Sequence, residues 1–238
     1  MNIVKPYAKI ISVDGLVPYN EQGVRMVGEA TLKKIEWCGR ISHRTEEAQA
    51  EGSWRRFIQA VVLDHGDWSI VEHASATVDF LVDRGITHEL VRHRLFAFTQ
   101  ESTRFVNYEK KMSPSFILPP LPDPPADPKH VIQINQIQDA WECAINQAED
   151  SYRCMIKNGV PPQIARSVFP NALASRIVIT GNLRNWRHFL LMRTTKESHP
   201  QMREVTIPLL QEFKAAIPLL YDDIDPNARQ IDNMRKPR

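Results

Sequence analysis

Glycine is scarce in this chain and never clustered. The nine glycines, at 15, 23, 28, 39, 52, 66, 85, 159 and 181, form neither a GxGxxG fingerprint nor a Walker A loop. Both usual backbone cradles for phosphate are therefore excluded, and a nucleotide or dinucleotide has to be held by side chains. Cysteine is scarcer still: Cys38, Cys143 and Cys154 make no CxxC pair and no disulfide framework. Reduced thiols in a cytoplasmic protein are the expectation. No apolar run approaches the roughly 20 residues of a membrane span. The start, Met1-Asn2-Ile3-Val4-Lys5, lacks the apolar core of a secretory signal. An excess of charge is also missing: 30 basic and 28 acidic residues leave +2, which argues against life on nucleic acid or an anionic membrane. The basic residues are biased in kind, however. Nineteen of the 30 are arginine, whose planar fork binds phosphate or carboxylate in two-point fashion where lysine does not.

With 238 residues, 42% of them hydrophobic, the chain suffices for one well-buried domain or a domain with a helical part. Residues 7–13 read as a first strand, and residues 22–38 and 54–65 carry helical periodicity. Ala74, Ala76, Val78, Phe80 and Val82 alternate as in a strand over 73–82, and a short helix is expected over 86–93. Residues 113–128 hold seven prolines, which predicts an extended surface loop inserted within one domain. The clearest helix spans 129–157 and stops at Gly159-Val160-Pro161-Pro162. A short helix over 163–169, a β-branched strand over 175–180 and helices over 182–193 and 201–216 complete the chain, the last strained by Pro208 unless it breaks there. The order predicts an α+β fold: a small central, mostly antiparallel sheet flanked by helices, in a single domain over residues 1–238.

The chemistry concentrates in Arg92-His93-Arg94-Leu95-Phe96-Ala97-Phe98-Thr99-Gln100-Glu101-Ser102-Thr103-Arg104-Phe105. Adjacent cationic groups at 92–94 repel one another and call for an anion. If the following part is extended, Gln100, Ser102 and Arg104 project from one face, since a strand's side-chain period is two. A second constellation, Asn182-Leu183-Arg184-Asn185-Trp186-Arg187-His188-Phe189 ending in Arg193, puts Arg184 and His188 on one helical face and Asn182 at a capping position. His65, Asp67, His73, His88 and His93 offer metal-ligand chemistry, but no pair has HExxH or HxH spacing, and no metal site is expected.

The first segment resembles the signature of the flavin-dependent thymidylate synthases (the ThyX family): Arg-His-Arg, seven residues, Ser, any residue, Arg. Arg92, His93, Arg94, Ser102 and Arg104 match it, with Ala97, Thr99 and Gln100 where Ser, Asn and Glu are frequent. Gly66-Asp67-Trp68-Ser69-Ile70-Val71-Glu72-His73 is similar to a second family element, with Asp67 where His is common. Arg166, four residues before Pro170, and the 182–193 pattern match as well, whereas Glu89 stands for the family's Gln and Pro200 for its Ala. The resemblance implies reductive methylation of dUMP to dTMP, with methylenetetrahydrofolate as one-carbon donor and FAD as hydride source, reloaded by NADPH. It implies dUMP contacts from Glu89, Leu90, Val91 and Arg92, from Gln100, Glu101, Ser102, Thr103 and Arg104, and from Arg166 and Arg193. FAD contacts are implied for Ser69, Arg92, His93 and Arg94, for Gln100, and for Asn182, Arg184 and His188. Arg193 is the implied catalytic group, polarising the uracil ring. A homotetramer with active sites shared between subunits is implied too. Ser102 lacks an evident base in sequence, so it reads as a hydrogen-bonding group and not a nucleophile. A metal-dependent nucleotide phosphohydrolase and a non-catalytic nucleotide- or RNA-binding module are the alternatives from other classes.

Overall fold

A computed structural model describes residues 1–16, 21–108, 113–121 and 128–234, with the backbone alone at 21–25, 128–133 and 233–234. A short strand β1 (Asn2–Ile3) precedes β2 (Tyr7–Val13), where alternate residues Ala8, Ile10 and Val13 face inward. Helix α1 (Glu21–Ile41) follows, then α2 (Ser53–Phe57), which runs on as a π-helix over Ile58–Asp64. The sequence periodicity predicts one continuous helix there. The wider i→i+5 turns are the difference, as in the 3.1 Å bond from the His65 amide to the Ala60 carbonyl.

A 3₁₀ segment, Trp68–His73, leads into β3 (Ser75–Asp83). Helix α3 (Arg84–Leu90) then stops short of the expected boundary at 93, so Arg92 does not share its face with His88 and Glu89. Asp83 begins it by accepting the Ile86 amide at 2.7 Å. β4 (Ala97–Gln100) is extended as expected, but the extension ends there. Residues 102–106 form a turn, in which the Ser102 carbonyl accepts the amides of Phe105 and Val106 at 3.2 and 3.0 Å. Ser102 and Arg104 therefore do not continue a strand face with Gln100.

The proline-rich stretch also departs from expectation. Its described part contains β5 (Ser115–Phe116), paired in parallel with β1, and Phe116 and Ile117 are fully buried. Proline bars a central strand but not a two-residue edge, and the two apolar residues between prolines bury themselves. Pro122, Pro124 and Pro125 lie outside the described residues. Then come α4 (Pro128–Lys157), α5 (Pro162–Ala165) with a 3₁₀ turn over Arg166–Val168, and β6 (Ala174–Asn182). Finally α6 (Leu183–Arg193), α7 (Pro200–Ala216) and α8 (Gln230–Met234) close the chain. α7 does not break at Pro208, whose ring is exposed while Leu209, Leu210 and Phe213 are buried; packing outweighs the lost helical bond.

The α+β architecture is that of a small antiparallel sheet, β2-β3-β6-β4, flanked by helices. The chain divides into two compact units. One unit comprises Met1–Pro6, Leu81–Leu90 and Gln100–Ile177, so the proline-rich stretch lies inside it. Its core is Tyr152 stacked on Phe169 at 4.5 Å, with Tyr108, Phe116, Ile145 and Leu173 around them. The other unit comprises Tyr7–Phe80, Val91–Thr99 and Val178–Arg238. Its core is an aromatic cluster of Phe80, Trp186, Phe189, Phe213 and Tyr221. Trp186 and Tyr221 satisfy their polar atoms on the carbonyls of Ala76 and Leu183, both at 2.9 Å. Edge strand β2 has the Ile10 amide bonded at 2.9 Å to the Glu212 carboxylate of α7, which blunts that edge. At Gly181 a Cβ would lie 2.3 Å from the Phe96 ring, so only glycine lets the signature segment rest on β6.

Candidate active site

In the unit built around α6, the helix begins with Asn182, whose Oδ1 accepts the Asn185 amide at 2.8 Å. That cap fixes the first turn and leaves the Asn182 amide NH₂ to donate. Arg184 and His188, one turn apart, both line a cleft of about 320 Å³ with Trp68, Glu72, Leu95 and Asn185. Arg184 is tied to Glu72 at 2.5 Å, and Asn185 holds the Leu95 carbonyl at 3.1 Å. Deeper, Arg187 is 3% exposed, pairs with Asp223 at 2.7 Å and lies over the Trp68 ring at 4.4 Å. Among the described residues the indole N–H of Trp68, itself 1% exposed, has no hydrogen-bond acceptor. Arg184, Asn185 and His188 line this cleft with nitrogen-bearing side chains, which fits a polar heterocyclic cofactor such as FAD.

Around the signature, Arg92 and Arg94 are exposed and, among the described residues, have no ion-pair or hydrogen-bond partner. His93 is half-buried between Phe189 and Phe96, at ring distances of 5.0 and 6.4 Å. Its Nε2 accepts the Nε–H of Arg193 at 2.9 Å. Burial, followed by the charges of Arg193 and His188, lowers the imidazole pKa to about 4. His93 is accordingly neutral near pH 7, with its proton on Nδ1. Ser69 is exposed and lines a different cavity of about 450 Å³, with Arg40, Ser42, His43, His65 and Asp67. The structure does not bring it into the cleft of Arg184 and His188. His73 is exposed.

The other unit carries the remaining residues. Arg166 sits where α5 tightens into the 3₁₀ turn and donates to the Thr103 hydroxyl at 2.7 Å. Thr103 is 5% exposed, whereas Arg104 is exposed and its guanidinium lies 5.5 Å from the Phe105 ring. Ser102 Oγ accepts the Arg104 amide at 3.3 Å, and among the described residues no base approaches it. Gln100 donates to Ser175 at 3.0 Å. Glu101 accepts the Tyr108 hydroxyl at 3.2 Å, and burial first, then the Glu101 charge, holds that phenol above its usual range. Leu90 is buried and Val91 exposed. Among the described residues no three His, Cys, Asp or Glu side chains form a metal-holding group, and no helix is long and apolar enough to cross a membrane.

Sequence reasoning did not assign roles to Trp68, Glu72, Asn185 and Arg187. Trp68 and Glu72 flank Ser69 in the quoted element, so the motif signals their neighbourhood. Their pairing with residues more than a hundred positions away does not show in spacing.

The fold and these clusters define a class: an α+β protein with arginine-rich side-chain clusters and no glycine-rich phosphate cradle. A family model described as thymidylate synthase complementing protein matches residues 25–219. Flavin-dependent thymidylate synthases from Mycobacteroides abscessus and Corynebacterium diphtheriae are 35% and 32% identical over 173 and 203 residues. These alignments cover 69% and 80% of this chain and 67% and 78% of the relatives. A third from Mycobacterium tuberculosis is 31% identical over 173 residues, 69% of this chain and 67% of its own. The chain belongs to the flavin-dependent thymidylate synthase family.

Proposed function

We propose that the chain converts dUMP to dTMP as a flavin-dependent thymidylate synthase, taking the one-carbon unit from methylenetetrahydrofolate. FAD, reloaded by NADPH, supplies the reducing electrons. The observation that supports the site assignment is that, among the described residues, the motif arginines Arg92 and Arg94 of one unit and Arg166 of the other have no carboxylate partner. Cations left whole in this way suit the phosphates that a chain without a glycine cradle must hold by side chains.

On this reading Arg92, His93, Arg94, Asn182, Arg184 and His188 bind FAD, joined by Ser69 and Gln100. Arg184 brings donors without net charge, because Glu72 neutralises it. Arg92, Arg104 and Arg166 bind the nucleotide, Ser102 donates a hydrogen bond to it, and Glu89, Leu90, Val91, Gln100 and Glu101 complete its surroundings. Arg193, anchored by His93, faces the uracil ring and stabilises the negative charge that develops there as carbon 5 becomes nucleophilic. Both units belong to one catalytic domain, which assembles as a cytoplasmic homotetramer with active sites shared between subunits.

The test is spectroscopic. Purified protein, or protein titrated with FAD, should carry one flavin per subunit. Colourless protein that takes up no FAD overturns the reading, most of all if it holds stoichiometric metal.

Ser102→Ala gives a second check. A lost hydrogen bond costs about 0.5–1.5 kcal/mol, so dUMP affinity should fall roughly three- to tenfold with turnover surviving at saturation. Abolished turnover with dUMP and FAD binding intact would make Ser102 a nucleophile.

A further inference from the structure

We propose that the Thr103 side chain has a positioning role beside any contact its backbone makes: its buried hydroxyl aims the Arg166 guanidinium at the nucleotide's anionic group. The proposal rests on the reading of Arg166 as a nucleotide-binding residue. Thr103 is 5% exposed, in the turn that the Ser102 carbonyl closes through the amides of Phe105 and Val106. Its Oγ1 lies 2.7 Å from a terminal nitrogen of Arg166. Among the described residues that is the one hydrogen bond the Arg166 side chain makes, and no carboxylate pairs with it.

The chemistry of the acceptor decides what the contact does. A carboxylate would fix the guanidinium and cancel its charge, as Glu72 does to Arg184 at 2.5 Å. A hydroxyl fixes one N–H and leaves the positive charge and the other four donors whole. An anchor made before the ligand arrives removes part of a flexible arginine's rotamer-entropy cost from binding. Arg166 also begins the 3₁₀ turn, its carbonyl accepting the Phe169 amide at 3.1 Å, so the backbone from which the side chain starts is fixed as well.

The test is a double-mutant cycle on the FAD-loaded protein, with dUMP affinity read by titration calorimetry. Thr103→Val, which keeps the shape and removes the acceptor, should weaken dUMP roughly three- to tenfold. The loss should fall in KM for dUMP and not in kcat, and Thr103→Ser should restore it. In an Arg166→Ala background the same Thr103→Val change should alter dUMP affinity by about twofold or less, because the two act as one unit. An undiminished penalty in that background would mean that Thr103 acts without Arg166, and the proposal falls. Normal dUMP binding by Thr103→Val beside a weakened Arg166→Ala also overturns the proposal, while the functional reading stands. An Arg166→Ala protein that binds dUMP as well as wild type overturns the reading of Arg166 and the proposal with it. If Thr103→Val fails a thermal-melt control, Thr103→Ala removes the same acceptor with less volume and runs through the same cycle.

Discussion

Arg193→Ala is expected to lower dTMP formation by on the order of a hundredfold or more while the protein keeps its FAD and still oxidises NADPH. Arg193 ends α6, half-buried, with its Nε–H engaged by His93 at 2.9 Å. That bond fixes one edge of the guanidinium before the nucleotide arrives, the arrangement of a preorganised donor. The anchor holds across the working pH range. His93 titrates at about 4, so from pH 5 to 8 its Nε2 keeps the lone pair that Arg193 needs. Arg193→Lys should recover little, since a point charge has neither the fork nor the Nε–H that His93 grips. Arg184→Ala should fail differently, by losing flavin, because its side chain lines the cleft with His188 and Trp68. Flavin content by absorbance, NADPH oxidation and dTMP formation, measured on both variants, separate the roles. Loss of FAD by Arg193→Ala with retention by Arg184→Ala would show the two ends of α6 assigned to the wrong ligands.

Much of the fold was legible because its signals are local. The 182–193 helix announces itself by Asn182, apolar spacing and a terminal arginine, and the structure finds it with the cap bond in place. Pro161-Pro162 and Gly159 mark the end of α4 just as plainly. Where the sequence misled, tertiary packing had overruled a local rule. Two apolar residues among seven prolines read as surface loop, yet Phe116 and Ile117 are buried and β5 pairs with a strand more than a hundred residues earlier. The signature's alternation suggested a strand to Arg104, but the chain turns at Ser102, and the buried residue there is Thr103, between the two polar groups expected to share a face. Of the site, the arginines were legible by type and spacing. Their neutralisation was not: that Glu72 pairs Arg184 while Arg166, among the described residues, meets only a hydroxyl is a fact of long-range geometry, and it separates donors from charges.

The same geometry makes Asp223 the position where a surface substitution should cost most. Asp223→Ala is expected to destabilise the protein by about 3 kcal/mol, the lower end for removing one partner of a buried pair. Arg187 is 3% exposed, whereas Asp223 is 40% exposed, so solvent already screens part of their attraction. The penalty lies in what remains. Both terminal nitrogens of Arg187 reach Asp223, at 2.7 and 2.8 Å, and without that carboxylate the guanidinium keeps its charge beneath Trp68 with the Leu220 carbonyl at 2.6 Å. Arg187→Met should cost less, because it removes the charge instead of stranding it and fills much of the space. In a chain of this size about 3 kcal/mol lowers the melting temperature by roughly 6–12 °C. The damage should reach the cleft as well: Trp68 rests on the guanidinium and forms its wall, so Asp223→Ala should hold FAD less tightly than Arg193→Ala does. Thermal melts and FAD titrations on the three variants check the order. An Asp223→Ala protein that melts with the wild type would mean that Arg187 does not depend on this carboxylate for its neutrality.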